Sequence, residues 1–325
     1  MSKPLTDRIA VVAGATRGAG RGIARGLGEA GATVYCTGRS VRGARSDYDR
    51  PETIEETAEL IEAAGGIAHA VRVDHSSEAE VERFFADLDA RHGRLDVLVD
   101  SVAGEHPLMR QWCSFWETDL SEAEALFRQA FLSHVITVKH AAPILIRARR
   151  GLIVEVTEND IIGAGGNPLA RNAKDGLKLL ALGMAAELEP HAVAAVAVTP
   201  GFLRSERMLE HFGVDEENWR EAGKQDRNFL ESESPLFVGR VVAALAADPS
   251  VLARTGQLLS SWEAAREYGI SDVDGRRPDW GALDIDFSMH PPWLLELMRT
   301  GARIELEWLE ALARRARRFL GQLPS

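Results

Sequence analysis

Short, mostly apolar runs alternate with longer segments of helical periodicity along most of this chain, and that alternation leaves few folds open. The first run, Arg8–Ala13 (RIAVVA), is continuous and ends at a glycine, as a strand buried on both faces should. Gly18 to Glu29 then reads as a helix. Further strand-like runs are Ala32–Thr37, Ile67–Val73, Leu95–Val99, Gly151–Thr157 and Ala192–Thr199, with a short one at Gln257–Ser260. Between them, Pro51-Glu52-Thr53 opens a helix with proline in its first turn and acids near its N-terminus, where the helix dipole favours them. Ser77-Glu-Ala-Glu80 is a capping box ahead of the next helix, and Ser121-Glu-Ala-Glu124 starts a long one within Leu120 to Arg147. Leu169–Glu189 and part of Ser234–Asp248 are also helical in pattern. Consecutive β-α units demand right-handed crossovers and therefore parallel strands. The predicted fold class is α/β: a doubly wound Rossmann-type parallel sheet of about seven strands with helices on both faces.

Residues 1–260 make up the expected nucleotide-binding and catalytic domain. Within it Phe202–Ser232 is long and charged and reads as a mobile flap over the site. Residues 261–325 form a mainly helical C-terminal extension. In Pro292–Leu320, the spacing of Trp293, Leu294, Leu297, Met298, Ile304, Leu309 and Leu312 makes an amphipathic helix. Its end carries Arg314, Arg315, Arg317 and Arg318, as suits a helix C-terminus. A docked or dimer-forming helix is the first reading, and a weak membrane contact the second.

The chain has 325 residues and a formal net charge of −11. Such a surface repels phosphate backbones, so nucleic acid is not an expected partner and a small-molecule substrate is. The two cysteines, Cys36 and Cys113, have no metal-ligand spacing, so neither a disulfide framework nor a metal site is predicted. No stretch approaches the ~20 apolar residues of a membrane span. The expected location is the cytoplasm.

Chemistry enters with Gly14-Ala15-Thr16-Arg17-Gly18-Ala19-Gly20, which follows the first strand and opens the first helix. Glycines there permit a tight turn and let the backbone approach a pyrophosphate at the positive end of the helix. This segment resembles the nucleotide-binding segment of the short-chain dehydrogenases/reductases, with Ala13 where the family usually has threonine. The resemblance covers about residues 5–260 and continues beyond them. Ala32–Arg39, Arg94–Val99, Ala265–Arg276 and the long C-terminus look most like the dehydrogenase/reductase member 1 type. Phe202-Leu-Arg-Ser-Glu-Arg-Met resembles a bacterial branch of that type.

An acid at the end of the second strand would bind the ribose 2′-hydroxyl of NAD, whereas arginine accommodates the 2′-phosphate of NADP. This chain has Gly38-Arg39 there, then Arg42 and Arg45, with Arg17 in the glycine loop. The guanidinium fork suits phosphate, so NADP(H) is preferred over NAD(H). By resemblance, Asp74 is the adenine-contacting aspartate, His75 a wall of the adenine pocket, and Pro200-Gly201 the pair beside the nicotinamide. The family's Asn-Asn-Ala-Gly after the fourth strand is replaced by Asp100-Ser101-Val102-Ala103-Gly104.

Family spacing places the catalytic lysine, which also holds the ribose hydroxyls, at Lys174 and the serine at Thr157. The tyrosine position is Ala170 and the asparagine position Ala130. No tyrosine lies between Tyr48 and Tyr268, so no local shift of register restores the usual acid. Other donors for the proton are His134, one helical turn after Ala130, and Glu158, Asp160, Glu105, His106 and Tyr268. Trp112 and Trp116 read as pocket-lining or packing residues. Three functions follow: an NADP(H)-dependent oxidoreductase on electron-poor carbonyls, enones or imines with a replaced or dispensable acid; a lyase, isomerase or cyclase on the same scaffold; or a nucleotide-binding protein without catalysis. The resemblance also implies pairing of the helices near 121–147 and 169–189 between subunits, in a homodimer or homotetramer.

Overall fold

The structure, a computed structural model, describes residues 3–45, 49–103, 114–158 and 167–282. The predicted C-terminal amphipathic helix lies outside the described residues, as do Glu105, His106, Trp112, Cys113 and Asp160.

The strands are β1 (Ile9–Ala13), β2 (Thr33–Gly38), β3 (Ile67–Arg72), β4 (Val97–Asp100), β5 (Gly151–Val156), β6 (Val193–Thr199) and β7 (Leu258–Ser260). They form one sheet of order β3-β2-β1-β4-β5-β6-β7, with every neighbouring pair parallel. The helices are α1 (Gly18–Glu29), α2 (Ile54–Ala63), α3 (Glu78–His92), α4 (Leu120–Phe127), α5 (Ser133–Ala148), α6 (Pro168–Leu188), α7 (Glu206–Phe212), α8 (Pro235–Ala247) and α9 (Ser261–Tyr268).

Alternation along β1 shows how the sheet is covered. Ala10 and Val12 face a core with Ile23 and Leu27 of α1, Ile61 of α2 and Phe237 and Val241 of α8. Ile9 and Val11 face the opposite core with Phe84 and Leu88 of α3, Leu145 of α5 and Leu188 of α6. A strand with successive side chains in two cores must be apolar throughout, which is why RIAVVA does not alternate. Helices α1 and α8 meet backbone to backbone: a Cβ on Gly22 would collide with the Pro235 carbonyl, and one on Gly239 with Gly22 itself. The glycines of α1 therefore serve packing as well as the loop before it.

Helix starts differ in detail from the sequence reading. Thr53, not Pro51, caps α2: its hydroxyl accepts from Glu56 N, and Glu56 accepts from Thr53 N. The expected box at Ser77 is not closed, because Glu80 Oε2 instead accepts from Asp74 N at 2.9 Å. The long helix starts two residues earlier than predicted, with Asp119 in place of Ser121 as its cap, accepting from Ser121 N at 2.7 Å. It is also interrupted. Between α4 and α5, Arg128–Leu132 winds as a π-helical turn, a feature frequent at functional sites.

The segment read as a flap carries α7 and two 3-10 turns, Trp219–Lys224 and Arg227–Glu231. Phe212, Trp219, Ala222 and Phe229 give it a small core of its own. The fully buried Arg204 lies 4.2 Å from the centre of the Trp219 ring and donates to the Ser232 carbonyl and to Asp272. Among the described residues no helix is long and apolar enough to cross a membrane.

Candidate active site

Strand order reverses between β1 and β4, and ligands of such sheets bind at the carboxyl ends of strands beside that switch. The glycine loop sits there. Gly14 has φ +78°, and a Cβ on it would stand 2.5 Å from the Ser101 carbonyl after β4, so only glycine fits. Arg17 precedes α1 without capping it, and the first turn of α1 holds no acid of its own. The anion at this positive helix end comes from elsewhere: Glu206 Oε2 of α7 accepts from Gly18 N at 2.8 Å, and Glu206 Oε1 lies 3.3 Å from Arg21.

The arginines read as a phosphate seat have carboxylate neighbours. Arg17 Nε donates to Glu52 at 3.2 Å, and Arg50 donates to both Glu52 oxygens and, at 2.5 Å, to Glu210 of α7. Arg42 bonds Glu59 and Arg45 bonds Asp49. Burial pushes the Glu52 carboxyl up, and the Arg50 bonds, a backbone hydrogen bond and the charge of Arg17 together more than reverse this, holding it below the ordinary range. Asp74 accepts from the Ser76 amide and hydroxyl. Its burial is likewise outweighed by those bonds and by the charge of Arg39, which hold its carboxyl below the ordinary range.

His75 does not form an open pocket wall. Its ring is enclosed, with Nε2 2.8 Å from the Thr37 hydroxyl and Nδ1 2.8 Å from that of Thr137, and burial depresses its pKa to about 4. The imidazole is therefore neutral.

On the catalytic side, Lys174 is buried on α6 with Nζ 3.5 Å from Glu158 Oε1, and Glu158 is half exposed. Thr157, at the end of β5, donates its hydroxyl to the Lys174 carbonyl at 3.0 Å. Its hydrogen is thus committed to α6, a cost to the expected role of donor toward a substrate carbonyl. Ala170 lies one turn before Lys174 on the same helix face. It belongs with Ala130, Ala173, Leu126 and Ala123 to one closed apolar cluster.

His134 does not face the cleft. It is wholly buried, with Nδ1 2.5 Å from Glu155 Oε2 and 3.4 Å from Asp100 Oδ1, and Nε2 2.8 Å from the Val102 carbonyl. Burial lowers its pKa, but the two carboxylates and the hydrogen bonds prevail and raise it to about 9. The proton it holds is locked among interior groups, which removes it as donor to a substrate. Tyr268 is also directed elsewhere: its hydroxyl donates to Asp248 at 2.6 Å, at the end of α8. Trp116 is largely exposed.

Beside Pro200, the Gly201 amide donates to Glu233 Oε2 at 3.0 Å, and the Ser261 hydroxyl donates to the same oxygen. Glu233 is fully buried, and burial, partly offset by those bonds, raises its carboxyl to about 8. Glu52, Glu155, Glu206 and Glu233 all escaped the sequence reading. Only Glu155 left a signal, as an acid inside the apolar run of a central strand.

A family profile described as short chain dehydrogenase matches residues 8–214. The human protein named dehydrogenase/reductase SDR family member 1 is 34% identical over 280 residues, covering 85% of this chain and 86% of its own. Among solved structures, a dehydrogenase/reductase from Sinorhizobium meliloti 1021 superposes with TM-score 0.62 at 23% identity, over 80% of this chain and 95% of its own. A metagenomic short-chain oxidoreductase in complex with NADP gives TM-score 0.59 at 27% identity, over 75% of this chain and 93% of its own.

Proposed function

The chain belongs to the short-chain dehydrogenase family, and on that premise we propose that it is an NADP(H)-dependent oxidoreductase whose proton donor is not a tyrosine. The substrate class is small and electron-poor: an activated carbonyl, an enone or an imine. The observation that carries this reading is the contrast between the two ends of the site. The groups suited to a dinucleotide are kept, whereas the acid and the asparagine are replaced by Ala170 and Ala130 in a closed apolar cluster.

The residues present fit a phosphate-bearing group, since the N-terminus of α1 already draws in the Glu206 carboxylate. Gly14, Thr16, Arg17, Gly18, Ala19 and Gly20 would hold the pyrophosphate, and Arg39 with Arg17 the 2′-phosphate. Asp74 and the backbone at His75 would flank the adenine, Lys174 the ribose, and Pro200 and Gly201 the nicotinamide. The group supplies or accepts hydride when bound. Lys174, whose Nζ lies 3.5 Å from Glu158, is then the proton donor. A substrate that is already electron-poor asks little of it, because removing a general acid costs ~10²–10⁴ in rate for a substrate that needs one. NADP bound to the metagenomic relative supports the choice of cofactor.

The test is oxidation of NADPH against a panel of ketones, enones and cyclic imines, with deuterium transfer from labelled NADPH. Stereospecific transfer to an enone or imine is expected, and silence across the panel overturns the reading. One observation favours a second reading, nucleotide binding without turnover: the Thr157 hydroxyl is spent on the Lys174 carbonyl. Tight NADPH binding with no turnover even in Ala170→Tyr would select it. We also propose a homodimer or homotetramer. The exposed apolar side chains Leu132, Leu179 and Leu182 near the α5 and α6 surfaces support it, and light scattering on the purified chain tests it.

A further inference from the structure

Asp100 and Glu155 are direct partners in the register between β4 and β5, so two carboxylates stand side by side on one face of a parallel sheet. Both are fully buried. Like charges in that position repel, and burying them unpaired costs several kcal/mol per ion. His134, in the first turn of α5 after the π-helical turn, is the side chain that meets them.

Its tautomer follows from its partners. The Val102 carbonyl can only accept, so Nε2 carries a hydrogen and Nδ1 is the atom turned toward the acids. With both carboxylates ionised, the cluster carries one net negative charge even with His134 as imidazolium, and burial, with Glu155 beside it, pushes the Asp100 carboxyl up. Two of its oxygens, Asp100 Oδ2 and Glu155 Oε1, are buried with no hydrogen-bond partner. Such atoms call for an explanation.

We propose that Asp100, His134 and Glu155 form a structural site for a divalent transition ion of the zinc or manganese class. The donor atoms of the three residues lie within 4.8 Å of one another. An ion with ligands at ~2.0–2.2 Å spaces them ~3–4 Å apart, so small side-chain shifts close the site. Imidazole with two carboxylates is a donor set such ions accept. Charge balances: a divalent ion, two carboxylates and a neutral imidazole sum to zero, and the proton on Nδ1 is released on binding. The two unpartnered oxygens supply further ligands. The bond from Nε2 to the Val102 carbonyl is the outer contact that orients a ligating histidine. Through it, and through the Val102 amide bonded to Asp100 at 3.2 Å, the ion would fix the backbone that leaves β4 for the cleft. The site does not depend on the redox reading and contributes no group to the reaction.

The full chain is produced in medium supplemented with Zn²⁺ and Mn²⁺, passed through a desalting column and assayed for metal by mass spectrometry. About one equivalent is expected in the folded protein, with a fall in Tm on prolonged chelation. A Co²⁺-loaded sample should show visible d–d absorption. In folded Glu155→Gln the metal should be lost; if that variant does not fold, the metal content and Co²⁺ spectrum of the unmodified chain decide. Less than about a tenth of an equivalent in that chain overturns the site and leaves a proton-sharing ion cluster. Full metal retention in folded Glu155→Gln overturns it equally, since the ion would then sit elsewhere.

Discussion

Ala130 and Ala170, where the spacing of the sequence motifs sets the family's asparagine and tyrosine, belong to the same buried apolar cluster, with Leu126 and Ala123 of α4 and with Ala173. On the proposed reading the two losses are therefore one structural event: two polar positions of the site are filled by two methyl groups that pack together. Ala170→Tyr puts a phenol back one turn before Lys174. Against a simple ketone it should raise kcat with NADPH by ~10²-fold or more, the lower range for a general acid. The added volume should also cost ~1–3 kcal/mol through overpacking, read as a lower Tm. A stable, nucleotide-binding variant with unchanged kcat would mean that the Thr157 and Asp100 departures disable carbonyl chemistry by themselves.

Glu206 takes the first free amide of α1, where the nucleotide reading puts a pyrophosphate. A carboxylate and a phosphate compete for the same positive helix end. Glu206→Gln keeps shape and an acceptor oxygen but removes the charge. With ~0.3–1 kcal/mol per charge at a helix terminus, NADPH should bind ~2–5-fold more tightly. Calorimetric titration of both proteins measures it. Weaker binding by the variant would show that the contact secures α7 over the bound nucleotide and does not compete with it.

Arg39 tests the choice between nucleotides. Its charge is felt at Asp74 after β3. Arg39→Ala should raise the Kd for NADPH by ~10-fold and leave that for NADH within about twofold, because only the former has a 2′-phosphate to lose. An equal loss for both would move the phosphate seat elsewhere, and Arg17, held by the buried Glu52, is the next residue to change.

What was legible in the sequence was what a local pattern can carry. The continuous apolar runs foretold a sheet covered on both faces, and the glycine loop lies after β1, beside the switch in strand order. The interior electrostatics were not legible, because they depend on contacts between residues far apart in the chain. Glu206 reaches Gly18 only once the chain leaving β6 brings α7 to the start of α1. His134 looked free to face the cleft because its helical phase matches that of Ala130. The π-helical turn Arg128–Leu132 intervenes, and Glu155 and the Val102 carbonyl capture both ring nitrogens. Thr157 kept its expected place at the end of β5, yet nothing in its neighbours foretold the bond to the Lys174 carbonyl.

Glu233 gives the fold a pH dependence of defined sign. In the folded chain its carboxyl titrates at about 8, raised by burial from an ordinary value of 4.5. Below that ordinary value both folded and unfolded chains hold the proton, and the stability linked to this group is fully present. As pH rises, the unfolded chain releases the proton first while the folded chain retains it. Stability therefore falls, by up to ~1.4 kcal/mol per pH unit, until the folded carboxyl also ionises near about 8. Glu233→Gln cannot titrate, and its amide oxygen can still accept from Gly201 N and the Ser261 hydroxyl. Urea unfolding at a series of pH values should show a smaller decline in the variant between about pH 5 and 8, and a variant more stable than the parent by ~1–3 kcal/mol above that range. Parallel curves for the two proteins would mean that Glu233 is ionised in the fold throughout, with Gly201 N and Ser261 sufficient to hold its charge.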